Sequence, residues 1–145
     1  LIIEELLATT NGGVPIEYTF HCFHGRVRFI KIWIRTPVHR EDIYLPDWTR
    51  VPIERRDRPV VDGAAIAGDV QAPPRLSEMI EIAECLSNGV DFVRVDLYNL
   101  GDRIVFRELT NYPSGGTNPE FDTEAIAGLS ASWQPRYGWL ANLRP

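Results

Sequence analysis

Apolar and polar residues alternate along Phe92-Val-Arg-Val-Asp-Leu-Tyr98. On an extended chain this sets Val93, Val95 and Leu97 on one face and Phe92, Arg94, Asp96 and Tyr98 on the other. A Gly-containing turn separates this stretch from Ile104-Val-Phe-Arg-Glu-Leu-Thr-Asn-Tyr-Pro113, and the two read as a β-hairpin. Glu17 to Phe23 and Arg26 to Ile34 read as an earlier pair of strands, joined at the hairpin signal His24-Gly25. Leu1 to Leu7 reads as a short buried strand, and Thr9-Thr-Asn-Gly-Gly13 after it as a loop. The period changes after Leu76. Ser77 is a predicted N-cap, Met79, Ile82, Ala83 and Leu86 recur at helical spacing with Glu78, Glu81 and Glu84 on the wet side, and Asn88-Gly89 supplies a stop.

From Arg35 to Arg75 no period holds, because Pro37, Pro46, Pro52, Pro59, Pro73 and Pro74 interrupt any regular element; the stretch 35–75 reads as an irregular insertion. After the second hairpin come a Pro113-Ser-Gly-Gly116 turn, a weakly helical Thr123 to Ser132 and a closing Trp133 to Pro145 with no clear period. No internal repeat is present. The order is strand, hairpin, insertion, helix, hairpin, tail. It predicts an α+β fold, a mostly antiparallel sheet with covering helices.

Composition narrows the field without deciding it. With 145 residues, 44% hydrophobic and 24% charged, the chain can bury one sizeable core. No apolar run approaches the roughly 20 residues that cross a bilayer, and the N-terminus lacks a basic region and cleavage site, so a cytoplasmic setting is expected. Leu1 opens directly into an apolar run, and the sequence is expected to begin inside a larger protein. A net charge of −5 argues against a nucleic-acid surface. Arg50, Arg55, Arg56 and Arg58, interrupted by Glu54 and Asp57, read instead as a solvated or anion-facing loop. Cys22 and Cys85 fall on a predicted strand and helix and read as buried thiols, not a bridge. His21 and His24 point to opposite faces if the strand continues through both, which argues against a shared metal.

Charges within an apolar hairpin need a reason, since a buried carboxylate is costly unless a cation meets it. With the turn centred near Asp102 and Leu100 opposite Ile104, Asp96 stands directly across from Glu108, with Cβ atoms roughly 5 Å apart. An even-length loop would send Glu108 to the opposite face. Two carboxylates so placed repel unless a divalent cation lies between them, and hard oxygen ligands without Cys or His point to Mg²⁺. A solvated Asp and Glu on an open hairpin face is the alternative.

Six motifs, in order, carry a resemblance: Ile2-Ile-Glu-Glu-Leu-Leu7, Glu17-Tyr-Thr-Phe-His-Cys-Phe-His-Gly25, Tyr44-Leu-Pro-Asp-Trp48, Glu78-Met-Ile-Glu-Ile-Ala83, Phe92-Val-Arg-Val-Asp-Leu-Tyr98 and Glu108-Leu-Thr-Asn-Tyr-Pro113. Together they resemble the C-terminal portion of the ATP-grasp ligases, within them the TupA-like family linked to teichuronopeptide and capsular polysaccharide synthesis, from about Ile2 to Gly128. The resemblance implies an ATP- and Mg²⁺-dependent ligase that joins a carboxylate to an amine or similar nucleophile through an acyl phosphate, with a small-molecule or polysaccharide-precursor substrate. It implies Asp96 and Glu108 as metal ligands, and Thr110 where many relatives have a metal-binding Asn, with Asn111 beside it. It implies Arg94 as the catalytic arginine facing the transferring phosphoryl group. Glu4, Glu5 and Leu7 match the hinge strand along which adenine lies, and Glu17 matches the acid that accepts from ribose hydroxyls.

Two departures accompany the match. Thr19 stands where family members often carry a lysine. The N-terminal lobe, with its Gly-rich loop and nucleotide-binding lysines, has no counterpart in these residues, so 1–145 is read as a partial ATP-grasp domain, inactive by itself. A non-catalytic ATP-grasp remnant acting as a binding or scaffold module is the alternative function. A carbohydrate-binding β module using Trp48, Trp133 and Trp139 is a third.

Overall fold

A computed structural model describes residues 6–10, 12–35, 37, 39–52, 65–66, 70–113, 128 and 131. The first hairpin forms as its sequence predicts, with β1 over Glu17–Phe23 and β2 over Arg26–Ile34. His24 and Gly25 both take the left-handed conformation, with φ of 52° and 76°. That is the backbone a two-residue connection needs if the strands are to keep their twist. The ladder sets Phe20 opposite Ile30 and Thr19 opposite Lys31.

Two further strands, β3 over Arg40–Tyr44 and the two-residue β4 over Ala65–Ile66, lie within the proline-rich 35–75 stretch. Alternation does not mark β3, because Arg40, Glu41 and Asp42 place charge on both of its faces. Their partners are tertiary: Lys31 Nζ lies 2.8 Å from Glu41, and Arg50 Nε lies 2.6 Å from the fully buried Asp42.

The helix α1 spans Leu76–Leu86. Ser77 is not its cap. Arg75 holds that position and makes no side-chain capping bond; its guanidinium binds Glu78 at 2.8 and 2.6 Å and donates to the carbonyl of Asp102 at 2.9 Å. This ties the start of the helix to the second hairpin turn. The helix stops at Ser87, and Gly89 takes φ of 80° just beyond it. The second hairpin follows as β5, Phe92–Asn99, and β6, Ile104–Thr110.

The six strands make one sheet in the order β4-β3-β2-β1-β5-β6, antiparallel throughout except for the β3–β4 pair. The architecture is α+β, with α1 the helix found over the sheet among the described residues. Tyr18, Phe20 and Cys22 of β1, Ile30 and Ile32 of β2, Tyr44 of β3 and Val93, Val95 and Leu97 of β5 join Met79 and Ala83 of α1 in the main core. Each large apolar side chain so buried contributes about 1.5–3 kcal/mol. A smaller cluster of Phe23, Phe29, Ile43 and Val51 closes one end of the other face.

Of the predicted first strand, residues 1–5 lie outside the described residues, while Leu6 is exposed and neither Leu6 nor Leu7 is in a strand. The weakly helical 123–132 stretch lies almost wholly outside them as well. Cys22 and Cys85 are both free thiols; Cys22 is buried as expected, but Cys85 is exposed because it falls on the helix flank away from the sheet. No helix among the described residues is long and apolar enough to cross a membrane.

Candidate functional site

The face of the sheet away from α1 carries the charged residues of β1 and β5. Antiparallel pairing stacks Glu17 against Tyr98, Thr19 against Asp96 and His21 against Arg94. Across the outer ladder Asp96 pairs with Glu108 and Arg94 with Thr110. The register reaches this pairing by an indirect route. At the turn Asn99, not Leu100, faces Ile104, and Leu100 N donates to Arg103 O at 3.0 Å, so the connection has even length. Continued without change, that offset would carry Glu108 to the helix side. The ladder shifts between Asp96 and Leu97, where Arg107 has no partner on β5. This β-bulge restores Glu108 to the face of Asp96, where the turn register had already set Arg107.

The charged groups converge closely. Arg94 grips Asp96 with two bonds, Nε to Oδ1 at 2.8 Å and Nη2 to Oδ2 at 2.6 Å, and the same Nη2 donates to Glu108 Oε1 at 2.6 Å. Thr110 Oγ1 donates to that Glu108 oxygen at 3.1 Å. Arg107 Nη1 lies 3.4 Å from Asp96 Oδ2, 3.4 Å from Glu108 Oε1 and 3.2 Å from Glu17 Oε1. The second oxygen of Glu17 accepts from Arg35, at 2.7 Å from Nη2 and 3.3 Å from Nε. Glu17, Asp96 and Glu108 are thus matched by Arg35, Arg94 and Arg107.

Burial divides the two paired acids. It pushes the fully buried Asp96 carboxyl up to about 6, against the pull of Arg94, with the charge of Glu17 and the Glu108 contact acting in the same upward direction. Burial also acts upward on Glu108, but the Thr110 hydrogen bond and the charge of Arg107, with further help from Asp96 and Arg94, leave it below the usual carboxylate range. Two carboxyls pushed apart in this way are a recurrent mark of functional sites.

Buried polar groups extend the face toward β2. Thr19 Oγ1 donates to Lys31 O at 3.1 Å, and Lys31 Nζ lies 3.7 Å over the Trp33 ring as well as against Glu41. Directly opposed residues share a face, so the only lysine of the chain stands one strand away from Thr19. His21 stacks on Phe29 with centroids 4.1 Å apart, and burial, with Arg94 and Lys31 nearby, lowers its imidazole to about 3. It is a neutral ring among cations. His24, its neighbour in the sequence, sits instead in the hairpin turn.

The structure therefore brings together Glu17, Arg94, Asp96, Glu108 and Thr110 of the residues singled out from sequence. Leu7 is partly buried before the Thr9–Gly13 turn, while Glu4 and Glu5 lie outside the described residues. Sequence reasoning missed Arg107, Arg35 and Lys31. Simple alternation assigns Arg107 to the face opposite Glu108, Arg35 follows the end of β2, and Lys31 reads as an ordinary strand residue. Only the turn register, the bulge and the neighbouring strands bring them in.

The donor set suits a hard divalent cation. Asp96 Oδ2 and Glu108 Oε1 lie equally close to one nitrogen, so they already converge on a single cationic point, with the Thr110 hydroxyl beside it. No group of three or more His, Cys, Asp or Glu side chains placed to hold a metal occurs among the described residues; the third oxygen here belongs to a threonine.

Neither curated proteins nor solved structures gave a match to this chain. A family model does match, over residues 1–132, and it describes the TupA-like ATP-grasp proteins. With nearly the whole sequence covered, and the paired acids and arginine on the open face of an α+β sheet, the chain belongs to the TupA-like ATP-grasp family.

Proposed function

We propose that the chain carries the metal- and phosphate-handling sheet of an ATP- and Mg²⁺-dependent carboxylate ligase of cell-surface polysaccharide biosynthesis, acting in the cytoplasm on a small-molecule or polysaccharide-precursor substrate. The observation that carries this reading is the convergence of Asp96 and Glu108 on one Arg94 nitrogen across the β5–β6 ladder. Asp96, Glu108 and the Thr110 hydroxyl are the residues that would hold Mg²⁺. When bound, Mg²⁺ and ATP would supply charge neutralisation and the phosphoryl group that activates a carboxylate as an acyl phosphate.

The chain's own residues supply positioning and fixed charge. Arg94, held by two acids, keeps its planar guanidinium at the site in one orientation, suited to negative oxygens that gain charge in phosphoryl transfer. Glu17 Oε2 accepts two bonds from Arg35, while Oε1 accepts one from Arg107 and retains a lone pair for a ribose hydroxyl. Lys31, opposite Thr19, places an ammonium on the same face.

The test is Mg²⁺-dependent ADP release by the full-length protein in the presence of carboxylate substrates. An Asp96→Ala, Glu108→Ala double variant should lose turnover by on the order of 10²–10³-fold or more. Full activity in the double variant would sink the proposal. A second reading, a nucleotide-binding module without turnover, is favoured by Thr19, whose hydroxyl is committed to Lys31 O. Nucleotide binding with no ADP release under any substrate would support it.

A further inference from the structure

Arg107 and Glu108 are consecutive, and no regular strand would give both the same face. The turn register sets Arg107 on the face of Asp96, the bulge brings Glu108 beside it, and Arg107 Nη1 reaches three acids at once. We infer that Arg107 is a built-in cation that competes with the divalent ion for the Asp96 and Glu108 oxygens, keeping bare-metal binding weak until nucleotide phosphates draw the guanidinium away. The inference rests on the metal reading of this site given above.

Charge balance is the first argument. Glu17, Asp96 and Glu108 are already neutralised by Arg35, Arg94 and Arg107 through direct contacts. A doubly charged ion added to a balanced, partly dehydrated cluster meets two nearby guanidinium groups with no anion in excess. The phosphates of a nucleotide supply that excess. Metal and nucleotide therefore bind in concert, and a cation that can move between acids and phosphates links them.

Mobility is the second argument, and it selects Arg107 over Arg94. Arg94 holds both acids at 2.6 Å and has 19% of its side chain exposed, whereas Arg107 holds them at 3.4 Å and has 37% exposed. Its withdrawal leaves no acid stranded. Asp96 and Glu108 keep Arg94, and Glu17 keeps Arg35 at 2.7 Å.

The experiment is a Mn²⁺ titration of the full-length protein followed by electron paramagnetic resonance, without nucleotide and then with a non-hydrolysable ATP analogue. Arg107→Gln should bind bare Mn²⁺ about tenfold more tightly than the unsubstituted chain, because one charge that repels the ion from a few ångströms is gone. Arg107→Lys keeps that charge and should stay close to the unsubstituted affinity. The analogue should strengthen Mn²⁺ binding more in the unsubstituted chain than in Arg107→Gln. Should Arg107→Gln fail to fold, Arg107→Met, which keeps the aliphatic stem, makes the same comparison. Equal bare-metal affinities with and without Arg107, alongside loss of binding in Asp96→Asn, Glu108→Gln, would overturn the role of Arg107 and leave the metal site standing. No Mn²⁺ binding in any variant would overturn both.

Discussion

The two faces of one strand pair follow opposite rules. On the α1 side, Phe20 and Cys22 of β1 and Val93, Val95 and Leu97 of β5 are buried against Met79 and Ala83, and hydrophobic burial alone accounts for their placement. On the other side, Glu17, Thr19, His21 and Asp96 are equally buried, yet each is a group that water solvates well. Dehydrating them opposes folding unless every charge finds a partner, and pairing recovers only part of that cost. The first face holds the sheet together, and the second is tolerated by it. A fold that keeps a costly face keeps it for chemistry.

The largest loss of stability is expected on the supporting face. Phe20→Ala leaves a cavity under α1 and should lower unfolding free energy by about 3–5 kcal/mol. Asp96→Asn, at an equally buried position on the other face, should cost less than half of that, since burial already opposes the Asp96 charge and Arg94 retains Glu108. Denaturant titration of both variants measures the two losses side by side. A loss in Asp96→Asn as large as that in Phe20→Ala would mean that the charged face also holds the fold together.

Acid acts in opposite directions on two groups within the charged face itself. His21 has a folded value of about 3 against 6.5 for a free imidazole, so the unfolded chain takes up its proton first as pH falls. Its contribution is complete above about 6.5 and is lost progressively down to about 3, at up to about 1.4 kcal/mol per pH unit. Asp96 works with the opposite sign. Its folded value of about 6 lies above the ordinary 3.8, so the folded chain takes up this proton first and gains stability as pH falls through that interval. The imidazole shift is the larger, and net acid destabilisation is expected. Melting temperatures from pH 7 to pH 4 should fall less steeply in His21→Phe and more steeply in Asp96→Asn. Identical slopes in all three proteins would refute both assignments.

Much of the supporting face was legible in the sequence because its rule is local. Alternation marks β1, β2, β5 and β6, helical spacing marks α1, and His24-Gly25 marks a turn. β3 escaped because the partners of Glu41 and Asp42 are distant in the chain, and the helix start was misplaced because Arg75 binds Glu78 and Asp102 instead of yielding the cap to Ser77. The site was legible in its acids and in Arg94. Its register was right at Asp96 and Glu108 for a reason the sequence did not reveal: the turn is one residue out of the expected pairing, and the bulge at Arg107 cancels the error. Alternation has no way to signal an extra residue that reverses it.

That cancellation yields the subtlest test, the removal of Arg107 altogether. In most hairpins a deletion within a strand flips every later side chain to the other face. Here the residue after Phe106 would become Glu108, and Phe106 already pairs with Leu97, so a regular ladder would set Glu108 opposite Asp96 without a bulge. The deletion should keep the fold, with stability changed by only about 1 kcal/mol, because it regularises the ladder while removing longer and partly exposed ion pairs. Arg94 should still bridge the two acids, and Mn²⁺ affinity should match that of Arg107→Gln. Amide exchange across β5 and β6 reports the ladder, and a collapse of protection there would show that the bulge shapes the strand for its own sake. Retained protection would show that the extra residue is there for the guanidinium it carries to the charged face.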